Sequence, residues 1–270
     1  MTVRQPAVAG LFYPRERRDL AAAVDGLLHA AAHEASATLY PPKALVAPHA
    51  GYIYSGPVAA TAYATLASRA DAITRVVLLG PAHRVPLVGI ALPTVDAFRT
   101  PLGDVPIDGA AREILLSLPG VVLDDATHAE EHSIEVHLPF LQRTLRTFSI
   151  VPMVVGRCDP HTVAAVLDSI WGGDETLVII SSDLSHYEDH ASAARHDRAT
   201  AAAVLDGSAD AIGPYDACGA YPLRGLLEAA REHALTPALL DLRSSGDTTG
   251  SRDRVVGYGA FAFATSGSSS

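Results

Sequence analysis

Along this chain, short and nearly uninterrupted apolar runs alternate with longer stretches in which apolar residues recur every three or four positions. The runs at 44–47, 75–79, 88–92, 150–155, 177–180, 238–242 and 255–264 have the length and β-branched content of strands. Between them, 17–35, 56–70, 108–118, 134–145, 161–171, 191–205 and 221–234 carry an Ala- and Leu-rich helical pattern. Asp108 and Asp159 stand where N-caps are needed, the latter just before Pro160. Strand and helix alternating in this way predict an α/β fold with helices on the faces of a sheet. Runs such as VVLL and LVII, apolar at every position, predict strands buried on both faces and hence a largely parallel centre.

Composition narrows the class of protein. With 49% hydrophobic and 19% charged residues among 270, the chain can bury a large core, and no compositional break divides it. We read a single domain over residues 1–264 and a disordered tail over 265–270, TSGSSS. No internal repeat of fixed period is visible. A formal charge of −10 argues against a nucleic-acid partner, which would need clustered Lys and Arg. No stretch reaches the roughly 18 apolar residues of a membrane span, so no membrane partner is expected. The N-terminal MTVRQPAVAGLFYP lacks the basic, apolar and small-residue regions of an export signal, and Cys158 and Cys218 form no disulfide framework. Both features fit the cytoplasm.

Candidate chemistry sits where the apolar runs end. His49 follows KALVA, His83 follows RVVLL, Asp183 and His186 follow TLVII, and Cys218 precedes a helix. In open α/β sheets the ligand crevice lies outside the carboxyl ends of the strands, so such residues converge however distant in sequence. Two histidines and a cysteine make a metal-ligand set. Taken singly, His49 and His83 are each a ligand, a catalytic base or a loop histidine bonded to a carbonyl, with Gly51 and Gly56 permitting close approach or positive φ near His49. Asp183, three residues before His186, can orient that imidazole or share a substrate proton, or merely cap a loop. Cys218 is a ligand or a nucleophile, its thiolate favoured by the positive end of the following helix. Cys158 reads as a small hydrophobe.

In AEEHSIEVHLPFL, His132 and His137 are five apart, about 140° around a helix, which is not the spacing of the zinc-protease pair. Glu131 with His132 reads either as a set of groups orienting metal ligands or as a helix start, with His137 packed on the sheet. His29, His33, His161, His190, His196 and His233 fall in or beside helices and read as solvated. Neither a phosphate-binding loop nor a strand-linked G-x-G-x-x-G is present.

The segments APHAGYIYSG, LLGPAHR, VDAFRTPLGD, EEHSIEVHLPF, SSDLSHY and ACG at 217–219 together resemble the Memo family, whose bacterial and archaeal members include AmmeMemoRadiSam system protein B. The likeness runs in order from AGLFYP to VVGYGAF, nearly the whole chain. It implies a three-layer α/β/α fold akin to the class III extradiol dioxygenases. His49, His83 and Cys218 match the family's metal-binding residues, while Asp183 and His186 match its remaining site residues, His186 at the place of the extradiol acid/base histidine. Cys218 stands where those dioxygenases have a carboxylate, and Arg84 where some members carry a second histidine, so a role for that neighbour is not carried over.

The resulting expectation is a mononuclear metal protein, with iron as Fe(II) first and copper or zinc next, acting in redox or dioxygenase-like chemistry on a small-molecule or peptide-borne substrate. Copper electron-transfer sites usually add an axial Met, and the internal Met153 lies within a strand run. Two rivals stand beside this reading. One is a non-enzymatic module that binds a peptide or partner protein around a vestigial metal site. The other is a hydrolase with Cys218 as nucleophile, His186 or His49 as base and Asp183 as orienter.

Overall fold

The computed structural model describes residues 1–34, 41–248 and 250–265. Its strands are β1 (Val3–Arg4), β2 (Ala44–Ala47), β3 (Arg75–Pro81), β4 (Ile90–Leu92), β5 (Ala97–Thr100), β6 (Gly103–Pro106), β7 (Val121–Leu123), β8 (Ser149–Val155), β9 (Thr176–Ser181), β10 (His186–Glu188), β11 (Leu235–Ser244) and β12 (Val255–Thr265). The helices are α1 (Arg17–Glu34), α2 (Tyr52–Ala64), α3 (Gly109–Leu116), α4 (Asp125–Ala129), α5 (Leu138–Thr144), α6 (Pro160–Ser169), α7 (His190–Leu205), α8 (Ala220–Glu232) and α9 (Ser245–Thr248).

Among the described residues, nine strands form one sheet in the order β10-β12-β2-β9-β3-β8-β4-β7, with β11 also pairing with β12. Its centre, β2-β9-β3-β8, is parallel, and it turns antiparallel on both sides, where β12 meets β2 and β4 meets β8. The central runs are apolar throughout because both faces are covered. In β9, Val178 and Ile180 pack on one side, Leu177 and Ile179 on the other; β3 divides Val77 and Leu79 from Val76 and Leu78 in the same way. The first side is covered by α3, α6, α7 and α8, the second by α1, α2 and α5, giving the expected three layers. Asp108 and Asp159 cap α3 and α6 by accepting the Ala111 and His161 N–H groups.

Where the elements depart from the sequence pattern, backbone chemistry explains it. Of the run at 88–92, β4 itself begins only at Ile90: Val88 is exposed and makes an isolated bridge with Arg157, and Gly89, at φ 91°, turns the chain against Gly120. The stretch 134–145 is a short 3-10 turn at Glu135–His137 followed by α5, with Pro139 in its first turn. The short strands β7 and β10 at the ends of the nine-stranded sheet, and β1, β5 and β6, which form a separate three-stranded sheet in the order β1-β5-β6, have at most four residues, too few for periodicity to register. Thr265, read as the start of the tail, is the last residue of β12, and residues 266–270 of that tail lie outside the described residues, as does the helix end at 35.

Two glycines in helices have opposite surroundings. A Cβ on Gly225 of α8 would fall 2.3 Å from the Val163 side chain of α6, whereas one on Gly26 of α1 would meet nothing within 4 Å. Gly225→Ala is expected to destabilise the fold by about 1–3 kcal/mol through overpacking. Gly26→Ala should stabilise it by about 0.5–1 kcal/mol through helix propensity. Urea unfolding of the two variants checks both signs.

Candidate metal centre

Three parallel strands end nearly level. Ala47 of β2 pairs with Ser181 of β9, and Leu79 of β3 with Ile180 of β9. The chain leaving each strand therefore emerges on one edge of the sheet, and His49, His83 and Asp183 each lie two residues beyond a strand end. Two further segments close on them past glycines. A Cβ on Gly80 would lie 2.5 Å from Ser133 Oγ, and one on Gly219 would lie 2.6 Å from the Ser181 carbonyl oxygen. Those close approaches bring in the 131–133 segment and the loop bearing Cys218.

Each strand-end histidine is held by both backbone and ring. The His49 N–H donates to Asp183 Oδ1 at 2.8 Å, and the His83 N–H to Glu131 Oε2 at 2.7 Å. His49 Nδ1 lies 2.6 Å from Ser181 Oγ, whose hydroxyl donates to the Ser133 carbonyl at 2.6 Å. A serine hydroxyl has one proton to give, so His49 carries its proton on Nδ1 and a lone pair on Nε2. His83 Nδ1 lies 2.9 Å from Glu131 Oε1; a carboxylate only accepts, so the same tautomer follows there. Glu131 Oε1 also accepts the N–H groups of His132 and Ser133, each at 2.9 Å.

One ring nitrogen from each of His49, His83 and His132 lies within 4.8 Å of the others, a group able to hold a metal ion. Bonds of about 2 Å to a shared ion require only a modest inward movement of the rings. His132 Nδ1 is buried 3.4 Å from Glu131 Oε1 and makes no hydrogen bond among the described residues. Cys218 Sγ stands 3.4 Å from His49 Nε2, close to the separation of about 3.5 Å for an imidazole and a thiolate on one tetrahedral ion, although it is not one of the three. Cys218 Sγ also accepts the Asp183 N–H at 3.2 Å.

Burial sets the protonation states. It drives His49 well below the ordinary imidazole range, helped by His83 and His132, and takes His132 to about 4 despite the nearby Glu131. Burial opposes ionisation of Glu131, but its bonds from His83 and Ser133 outweigh that and lower it to about 2. Burial raises Asp183 above the usual carboxylate range against the hydrogen bond from His49. The Cys218 thiol is pushed far up by burial and by the Asp183 charge. The positive end of α8, expected to favour a thiolate, is overcome by these effects.

His186 is exposed, with Nδ1 donating to the Leu184 carbonyl at 2.8 Å and Nε2 left available. Asp183 therefore anchors the His49 backbone and does not orient the His186 ring. Both line a cavity of about 420 Å³ with His132, Phe12, Tyr54, Tyr187, Arg254 and Tyr258. Cys218 lines a separate cavity, also of about 420 Å³, with Leu87, Val155, Arg157 and Tyr221.

The structure thus gathers His49, His83, Asp183 and Cys218, with His186 on the adjoining cavity wall. His132, weighed as an orienting neighbour, adds a third imidazole, and Glu131 takes the orienting role. His137 packs away from them, bonded through Nδ1 to the Tyr63 hydroxyl at 2.7 Å. Gly51, at φ −55°, needs no special backbone freedom, whereas Gly56 lets α2 approach Leu27 of α1. Met153 is buried in the core with no exposure. Cys158 is a free, half-buried cysteine packed against the core. Among the histidines read as solvated, His190 and His233 pair with Asp247 and Asp168, and His196 with two carboxylates.

Comparison with known proteins agrees with this architecture. A family model described as Memo-like protein matches residues 4–262. A MEMO1 family protein of Aquifex aeolicus is 37% identical, covering 96% of this chain and 98% of its own length. One from Methanopyrus kandleri is 38% identical with the same coverage. Among solved structures, an uncharacterized protein of Escherichia coli K12 superposes with a TM-score of 0.51 at 14% identity, over 80% of this chain and 98% of that one, a likeness of fold alone. With its ordered motifs, its three-layer fold and relatives matched along almost their whole length, the chain belongs to the Memo family.

Proposed function

We propose that this protein binds a single metal ion, Fe(II) first and copper or zinc next, and carries redox or dioxygenase-like chemistry on a small-molecule or peptide-borne substrate. His49, His83 and Cys218 would hold the ion, and His186 and Asp183 would handle protons. The observation that carries this reading is the pair of fixed tautomers: His49 and His83 each have Nδ1 tied down and Nε2 left as a lone pair beside further donors. When bound, a redox-active ion would supply the electron transfer that none of these side chains provides.

The remaining steps belong to the chain. Cys218 is held as a thiol, so serving as a ligand requires it to release a proton, and soft-metal affinity should rise with pH. His186 presents an unengaged Nε2 at the cavity wall, the position of a group that exchanges a proton with bound substrate. Asp183, buried and raised, is suited to share a proton there while its Oδ1 fixes the His49 loop. The aromatic wall of Phe12, Tyr54, Tyr187 and Tyr258 would bury the apolar part of the substrate.

That same aromatic, open cavity favours a second reading, a module that binds a peptide without turnover. The hydrolase reading is weakened, since burial keeps Cys218 from forming the thiolate nucleophile it needs. The two free cysteines support the cytoplasmic setting inferred from sequence. The excess of acidic residues supports the absence of a nucleic-acid partner. Among the described residues no helix is long and apolar enough to cross a membrane.

Elemental analysis of protein purified without oxygen, followed by turnover assays on catechol-type compounds, tests the reading directly. One equivalent of iron with turnover is expected; metal without turnover on any substrate would favour the binding module, and no metal would sink the metal-dependent reading. Cys218→Ser should weaken Cu(I) binding far more than Cys158→Ser, because a hydroxyl replaces thiolate poorly. Equal losses in a titration would remove Cys218 from the ligand set. Glu131→Gln keeps the shape of the residue but not its charge, and should cost about 10–100-fold in metal affinity. His186→Ala should keep its metal and lose about 10²-fold or more in turnover; if metal is lost instead, His186 is a ligand.

A further inference from the structure

On sequence, His196 of α7 reads as a solvated helix residue, yet both of its ring nitrogens are engaged. Nδ1 lies 2.7 Å from Glu188 Oε1 and Nε2 lies 2.6 Å from Asp216 Oδ1. Ionised carboxylates only accept, so a ring that meets one at each nitrogen donates from both, as only the imidazolium can. The partners are well chosen. Glu188 ends β10, two residues after His186, and Asp216 lies two residues before Cys218. The second oxygen of Asp216 accepts the Gly213 N–H at 2.6 Å, and its own N–H returns to the Gly213 carbonyl at 3.1 Å, closing the turn that leads to Cys218.

The next residue of the helix acts on the same segment from the other side. Asp197 accepts the Ser185 N–H at 3.0 Å, immediately before His186. Successive side chains of α7 therefore hold the chain before and after His186, and His196 extends that hold to the Cys218 loop. Between the two attachments Tyr187 sits at φ 62°, a strained value for an aromatic residue. Such a conformation persists only when its surroundings fix it.

We propose that His196 is a positioning residue of the site: as a charged bridge between Glu188 and Asp216 it fixes the loop of Cys218 against the strand of His186. Its functional weight rests on reading Cys218 and His186 as site groups, while the bridge itself does not. The charges bearing on His196 are Asp216, Glu188 and, from its own helix, Asp197. Around the rest of α7, Asp241 pairs with Arg243, Asp210 with Arg224 and His190 with Asp247, and β12 has no Asp, Glu, Lys, Arg or His. The bonds to Asp216 and Glu188 raise His196 above the ordinary imidazole value. The bridge is therefore intact below that ordinary value and is lost as pH rises through the raised one.

The test uses chelator-treated protein, so that it does not depend on metal binding. Imidazole ¹⁵N spectra report the His196 ring, and mass spectrometry follows iodoacetamide alkylation of Cys218 against Cys158 in the same molecule. Wild type should show His196 protonated at both nitrogens near pH 7, losing one proton above the ordinary imidazole range. The double variant Glu188→Gln/Asp216→Asn should lower that midpoint. It should also speed Cys218 alkylation by about tenfold or more, the scale of a lost charge-assisted hydrogen bond, with Cys158 unchanged. His196→Ala should match that acceleration, and His196→Gln, able to donate to only one carboxylate, should fall between. If His196→Ala fails to fold, the double variant decides. A neutral ring near pH 7, an unchanged Cys218 rate, or equal acceleration of Cys158 would each overturn the proposal. Absence of metal uptake by wild type would overturn only the metal reading and leave these measurements standing.

Discussion

A single hydroxyl joins the three segments on which the site depends. Ser181 ends β9, accepts the His49 ring N–H from the loop after β2, and donates to the Ser133 carbonyl beside Glu131 and His132. With no exposure to solvent, it has no water to fall back on, so both bonds must be made within the protein. That obligation fixes the His49 tautomer, and with it which nitrogen is offered to the cluster. The parallel register brings strand ends together, but Ser181 turns proximity into defined chemistry.

The carboxylates extend the same logic. Asp183 and Glu131 each receive the backbone N–H of a strand-end histidine, so the loops after β2 and β3 are held in similar ways by acids from elsewhere in the chain. Their environments then diverge. Glu131, with four N–H donors, is a settled anion at about 2, whereas Asp183 is pushed up by burial. Two acids at one site with opposite shifts divide the labour between fixed structure and proton exchange.

The sequence pattern made the centre of this architecture legible because the central strands are buried on both faces and their apolar runs are unbroken. The short edge strands carry no comparable signal. His49, His83, Asp183, His186 and Cys218 were visible as residues at element ends, a property of local sequence. His132 is less legible, because helical spacing relates it to His137 only if one helix contains both. The 3-10 turn begins only at Glu135, and His132 reaches the cluster from the preceding loop. His196 was hidden for a different reason. Its partners lie 8 and 20 positions away, and neither spacing belongs to a helix face.

The strained Tyr187 makes sense in this context. A left-handed aromatic residue costs on the order of 1–3 kcal/mol, and the segment could relax if its neighbours were free. It is not free: Ser185 is bonded to Asp197, the His186 ring to Leu184, and Glu188 to His196. The strain turns Tyr187 outward, where Arg254 lies 5.1 Å from its ring centroid at the cavity wall. A relaxed segment would surrender both that aromatic wall and the His186 position, so the bonds from α7 offset a conformation that the cavity, rather than the fold, requires.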